Sequence, residues 1–253
     1  MIQKSFRRVR RAWQRYGAWK LFLLSVNMMP RVYRDHRAVG LRERKQREFD
    51  SKYGVDTGGI TDLSAFSIKH STWVWGVRYG PSSEAFVVAA LRNLDLDYRR
   101  YSFVDYGSGK GAVLLYASRF PFLEIIGVEF AHELNDIALS NLQRYRAAGV
   151  SFDMPIRPVC ADATTFDTPL TPLVLYFLAP FGPPVLKEVL ARIESSFRLN
   201  PREIYIVYGY PRYIWDADAI LATQSFLKKV HEEELEGVPH VVYRAILPPE
   251  NHN

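Results

Sequence analysis

A single cysteine, Cys160, stands among 253 residues, so no internal disulfide framework and no cysteine-based metal site can be built. A reducing, cytoplasmic setting follows as the expectation. Histidine is sparse as well: there are six, and His70, His132 and His231 lie too far apart for a His-x-x-x-His or acid-flanked pair, so no metal is expected. No apolar run reaches the ~20 residues that cross a membrane; the nearest, Trp19 to Met29, is interrupted by Lys20, Ser25 and Asn27. Its basic flank has the outline of a secretion leader, but no small-residue cleavage site precedes the next basic cluster at Arg31 to Arg37, and secretion is not expected. Gly-x-Ser-x-Gly elbows, P-loops, internal repeats and low-complexity tracts are all missing.

What is present is a core-forming composition, 48% hydrophobic and 14% aromatic, in a chain long enough for one large domain with an appendage. Charge divides the chain. Residues 1–52 hold 15 of the 33 Lys+Arg but four of the 27 Asp+Glu, so a basic head precedes a mildly acidic body. Residues 1–27 of the head read as helical, with Trp13, Tyr16, Trp19, Leu23 and Val26 on one stripe; Pro30 breaks that helix, and a charged helix resumes from Arg31 to Lys52. That stripe either packs on its own domain, the ordinary reading, or lies on an anionic membrane surface or acidic partner. The expected division is 1–52, a basic helical extension; 53–80, an irregular aromatic linker or lid carrying Trp73, Trp75 and Tyr79; and 81–253, the main domain.

Along that domain, Ser82-Ser83-Glu84 opens a helix reaching about Leu94. Tyr101 to Val104 is a short buried strand, followed by Asp105, three alternating glycines and a helix from Ala112 to Phe120. Glu124 to Phe130 is a second strand and His132 to Ala148 a helix burying Leu134, Ile137, Ala138, Leu142 and Tyr145. Strands follow at Ile156 to Asp162, Leu173 to Leu178 and Ile204 to Tyr208, with helices at Pro183 to Arg198 and Ile214 to Thr223. Phe226 to His231 and His240 to Leu247 read as a closing antiparallel pair. Alternation at this spacing predicts an α/β, doubly wound, mostly parallel sheet.

The loop Asp105-Tyr-Gly107-Ser108-Gly109-Lys110-Gly111 is the natural ligand site: its glycines let backbone amides approach a bound group closely. Gly107-x-Gly109-x-x-Ala112 meets the loose dinucleotide fingerprint, and Glu129, an acid about 20 residues on, suits a ribose. The fuller pattern Asp105-x-Gly107-x-Gly109-x-Gly111 resembles motif I of the class I S-adenosylmethionine-dependent methyltransferases. That resemblance spans about residues 79–210 and implies a Rossmann-like, seven-strand fold, S-adenosylmethionine as cofactor and S-adenosylhomocysteine as product. It implies that Asp105 helps hold the amino group of the methionine moiety, with Gly107, Ser108, Gly109 and Gly111 as the cradle. Glu129 would take both ribose hydroxyls, Phe130 would pack on the adenine, and Asp162 with Ala163 would meet the adenine amino group. Leu178-Ala179-Pro180-Phe181 falls where many members carry an N/D-P-P-Y/F-like motif at the transfer site, which makes Ala179, Pro180 and Phe181 the acceptor-side residues. Ala179 departs from that motif, having no side-chain acceptor, so a backbone carbonyl at Leu178 or Ala179 would orient an amine nucleophile.

Tyr79-Gly-Pro81-Ser82-Ser83-Glu84-Ala85 before the first helix is similar to the front of the membrane-associated lysine methyltransferases that modify an ATP synthase c subunit, and loosely to the seven-strand histone-lysine methyltransferases. This resemblance implies that Tyr79, Ser82 and Ser83 close over the cofactor and that the methyl acceptor is a protein lysine. The competing readings are bland: helix capping for the two serines, a polar turn for Asp162, core packing for Phe130. Lys110 reads as a solvated loop lysine, Cys160 as a small core residue, and Tyr208, Tyr210 and Tyr213 as aromatics beside a substrate cleft or in the core. RNA or small-molecule methylation, an NAD-dependent reductase and a non-catalytic cofactor-binding scaffold stay open as alternatives. Nucleic acid is the less favoured partner, because no RNA-binding module is present and the body is acidic.

Overall fold

The computed structural model describes residues 40–59, 80–209, 217–235 and 238–247. The basic stripe before residue 40, the segment around Trp73, Trp75 and Tyr79, and Tyr210 and Tyr213 lie outside the described residues. The chain forms two compact units, Met1–Lys45 and Gln46–Asn253. Helix α1 covers residues 40–53, and its part from Gln46 onward belongs to the larger unit.

The larger unit is a seven-stranded sheet in the order β3-β2-β1-β4-β5-β7-β6. Its strands are β1 (Ser102–Tyr106), β2 (Glu124–Glu129), β3 (Ile156–Cys160), β4 (Leu173–Leu178), β5 (Ile204–Gly209), β6 (Leu227–Leu235) and β7 (Val238–Ala245). The first five are parallel, and β7 enters antiparallel between β5 and β6. The helices are α2 (Glu84–Arg92), α3 (Ala112–Ala117), α4 (His132–Ala147), α5 (Pro183–Leu199) and α6 (Ala217–Ala222). This is the mostly parallel, doubly wound sheet that the strand and helix alternation predicts, with the seven-strand, Rossmann-like form that the resemblance implies.

Strand burial follows position in the sheet. β1 and β4 are central and buried almost throughout, as strands covered on both faces must be. Alternate residues feed two cores. Val104, Tyr106, Leu175, Phe177 and Tyr208 face α5 and α6, whereas Phe103, Val174, Tyr176 and Val207 face α2 and α3. Tyr106, Phe177 and Tyr208 are in register on β1, β4 and β5 and stack at centroid distances of 4.7 and 5.7 Å. α5 lays Val185, Leu186, Val189, Leu190 and Ile193 on that face at helical spacing; each such burial is worth about 1.5–3 kcal/mol.

Several expectations are corrected. β1 runs on through Asp105 to Tyr106, so Asp105 is a strand residue paired with Gly127 and Tyr176. β3 stops at Cys160, which leaves Asp162 in the following turn. Cys160 is exposed, because β3 is an edge strand and lacks one covering neighbour. Lys110 is buried: its Nζ donates to Asp56 Oδ1 at 2.8 Å and to the Gly58 carbonyl at 2.9 Å. Residues 46–58 thus brace the glycine loop from behind, with Asn141 bonded both to the Lys110 carbonyl and to the Asp56 backbone.

Candidate active site

In a parallel sheet, the crevice beyond the carboxyl ends of the strands, where strand order reverses, is the natural ligand site. Here the reversal lies between β1, which continues outward to β2, and β4, which continues to β5. A pocket enclosing about 980 Å³ of empty space, its open mouth included, sits at that point.

The loop after β1 forms its floor. Gly107 and Ser108 amides hook onto the Val128 carbonyl at 2.8 and 3.1 Å, tying the loop to the end of β2. Gly107 has φ +78°, and an added Cβ would lie 2.5 Å from Cβ of Pro180, so both conformation and close approach require glycine. Gly111 caps α3 in a left-handed conformation against Ala138. Ser108 Oγ is buried without a hydrogen-bond partner among the described residues.

Two carboxyl groups dominate the chemistry. Asp105 is 3% exposed and Glu129 4% exposed, and both line the pocket. Burial pushes the Asp105 carboxyl well above the usual carboxylate range, and the neighbouring Glu129 charge adds to this. Among the described residues, no group donates a hydrogen bond to it. Burial also raises Glu129, but backbone amides of Ala131, Gly109 and Phe130 pull it back. The Ala131 amide donates to Oε1 and the Gly109 amide to Oε2, each at 2.9 Å. A carboxylate has about four lone-pair sites, so both oxygens keep acceptor capacity towards the cavity.

The structure brings Ser82, Asp105, Gly107, Ser108, Glu129, Phe130, Asp162, Ala163, Ala179, Pro180 and Phe181 to this one pocket. Three of the expected residues stand outside its lining. Ser83 is the N-cap of α2, its Oγ accepting from the Phe86 amide at 3.3 Å. Gly109 is turned to Glu129, and Gly111 to Ala138. Tyr79 lies outside the described residues. Asp162 Oδ1 accepts from both the amide and the hydroxyl of Thr164, which shapes the turn after β3 while the residue still faces the pocket. Ala179, one of two non-glycine residues with positive φ among those described, has φ 42° and is 2% exposed. Such strain persists only where surroundings over-determine it, and it turns the chain sharply off β4 into Pro180 and Phe181. Sequence reasoning missed Tyr176, a buried pocket residue whose hydroxyl donates to Ser82 Oγ at 3.1 Å. Its alternate position in the apolar run of β4 read only as core.

The arrangement can hold a ligand with a cationic or hydrogen-bond-donating group at Asp105, paired hydroxyls at Glu129 and a flat ring between Phe130 and the Asp162 turn. No family model matches the chain, and no curated protein sequence matches it. Its fold is similar to solved structures that include a proposed RNA methyltransferase from Pyrococcus horikoshii, at 16% identity and TM-score 0.49, covering 73% of this chain and 96% of that one. Others are SAM-dependent methyltransferases from Aquifex aeolicus, at 14% identity and TM-score 0.46 over 65% of this chain and 92% of that one, and from Leishmania major, at 13% identity and TM-score 0.46 over 64% and 72% respectively.

Proposed function

We propose that the chain is an S-adenosylmethionine-dependent methyltransferase that methylates a nitrogen, with a protein lysine as acceptor. The observation that carries the first part is the pair of buried carboxyl groups, Asp105 and Glu129, at adjacent strand ends of one pocket. Asp105, buried and without a donor, fits the cofactor's ammonium group. Glu129, braced by two amides, fits its ribose hydroxyls, and Phe130, Asp162 and Ala163 fit the adenine. Ser108 Oγ, buried without a partner, is a further polar atom such a ligand can engage.

When bound, the cofactor supplies a methyl group already activated by its sulfonium. The chain then has to position groups and exclude water. Asp105 and Glu129 would hold two ends of the ligand, and Pro180, which packs over Gly107, and the buried Phe181 would line the acceptor side. With no acceptor on the Ala179 side chain, the carbonyls of Leu178 and Ala179 are the groups that orient an incoming amine there. The lysine acceptor is supported by the Tyr79–Ala85 segment and by the basic head, which suits an anionic membrane or an acidic protein partner.

The test is transfer of radiolabelled methyl groups into a cell lysate, fractionated into protein, RNA and small molecules. Label in protein, recovered as methyl-lysine after hydrolysis, is the expected result. Label confined to RNA or small molecules would overturn the lysine acceptor, and no label in any fraction would overturn the transferase.

A further inference from the structure

The β6–β7 hairpin gathers two imidazoles and a carboxylate well away in sequence from every pocket residue. In this antiparallel pair Glu233 is directly opposite His240, and His231 precedes Glu233 by two residues, so all three side chains share one face of the sheet. Glu233 Oε1 lies 3.1 Å from His231 Nε2 and 3.5 Å from His240 Nε2. One ligand atom from each residue falls within 4.8 Å of the others. Asn93 donates to the same Glu233 oxygen and fixes the carboxylate from the end of α2.

His240 is the unusual member. It is fully buried and packs edge-on against Phe86 at 5.5 Å; among the described residues its ring nitrogens make no hydrogen bond of regular geometry, although Nε2 lies 3.5 Å from Glu233 Oε1. A buried polar group without a well-formed hydrogen bond costs about 1–3 kcal/mol, a cost that a metal ion at the imidazole lone pair would offset.

We propose that His231, Glu233 and His240 form a binding site for a divalent transition-metal ion of the Zn²⁺ class. Two imidazole nitrogens, borderline donors, beside a single carboxylate oxygen suit Zn²⁺ rather than Mg²⁺ or Ca²⁺, which want all-oxygen ligand sets. Bonds of about 2.0–2.2 Å to one tetrahedral ion place ligand atoms roughly 3.3–3.6 Å apart. The two Glu233–His separations are already near that value. The exposed His231 can rotate to complete the set, and the fourth position faces solvent on its side. The ion would clamp β6 to β7 at the sheet edge and engage the buried His240 imidazole. None of the three residues lines the pocket described above.

The experiment uses the full chain stripped of metal and titrated with Co²⁺ alone, followed by its visible d–d absorption, and with Zn²⁺ against a chromophoric chelator. One Zn²⁺ per chain that displaces Co²⁺ is expected. His231→Ala and Glu233→Gln, both changing side chains outside the core, should each weaken Zn²⁺ binding at least about tenfold, since losing even a supporting partner of a ligand costs 10–100-fold. Zinc binding unchanged in both variants, or no zinc bound by the unaltered chain, would overturn the site.

Discussion

Glu129 accepts the Gly109 amide at 2.9 Å, so the acid that faces the pocket is also the anchor of the glycine loop. Its role as ligand group and its role as brace are inseparable in one side chain. Glu129→Ala therefore does more than remove a ligand contact: it strands the buried amides of Gly109 and Ala131. The expected outcome is a stability loss of about 1–3 kcal/mol per stranded group together with loss of S-adenosylmethionine binding. Denaturant unfolding and calorimetry on the same variant check both.

Asp105 sets stability against binding. Its carboxyl is raised in the folded state, so the fold holds that proton more tightly than the unfolded chain does. The contribution is fully present below the ordinary value of ~3.9 and is lost as pH rises through the folded value. Asp105→Asn should therefore raise the melting temperature of the ligand-free protein at neutral pH and flatten its pH dependence while abolishing cofactor binding. Thermal melts across pH 4–8 read the first effect; an unchanged profile would contradict it.

The same shift makes affinity pH-dependent. An ammonium group binds the ionised carboxylate, so binding releases a proton and affinity falls as pH is lowered through the raised value. Calorimetry of the unaltered protein in buffers of different ionisation enthalpy should show proton release on binding; a binding enthalpy independent of the buffer would contradict it.

Lys110 works from behind the pocket. Its ammonium bridges Asp56 and the Gly58 carbonyl while its own side chain is almost covered. Lys110→Met should cost about 1.5–3 kcal/mol, the value of hydrogen bonds to a charged group, and should weaken cofactor binding through the loosened loop although Lys110 does not line the cavity.

Ala179 in the left-handed region tolerates glycine better than a branched side chain. Ala179→Gly should change stability by less than about 1 kcal/mol, strain relief offsetting the entropy of the unfolded chain. Ala179→Val should destabilise by about 1–3 kcal/mol, measured by thermal unfolding.

The fold was legible where local signals agree. The bounds of β4 follow from a six-residue apolar run, and those of α4 from its periodic apolar face. The mostly parallel, doubly wound sheet follows from the alternation of elements. What stayed hidden depends on sheet order and on contacts between distant residues. Cys160 looks like core in the sequence because nothing local says that β3 is an edge strand. Lys110 meets Asp56 across 54 residues, and Tyr176 meets Ser82 across 94. His231 and His240 carry no linear metal spacing; only the hairpin register sets them on one face. Asp105 and Glu129 were legible as pocket-lining residues because one leads into the glycine loop and the other ends β2, whereas the capping of α2 by Ser83 and the turn built by Asp162 compete with the roles that the resemblance implies.

The central claim is that Asp105 and Glu129 bind S-adenosylmethionine. Isothermal calorimetry of the full chain with S-adenosylmethionine and NAD, separately, tests it most directly. One S-adenosylmethionine per chain, no NAD, and loss of binding in Asp105→Asn is the predicted result; NAD binding without S-adenosylmethionine binding, or full affinity in Asp105→Asn, would contradict it.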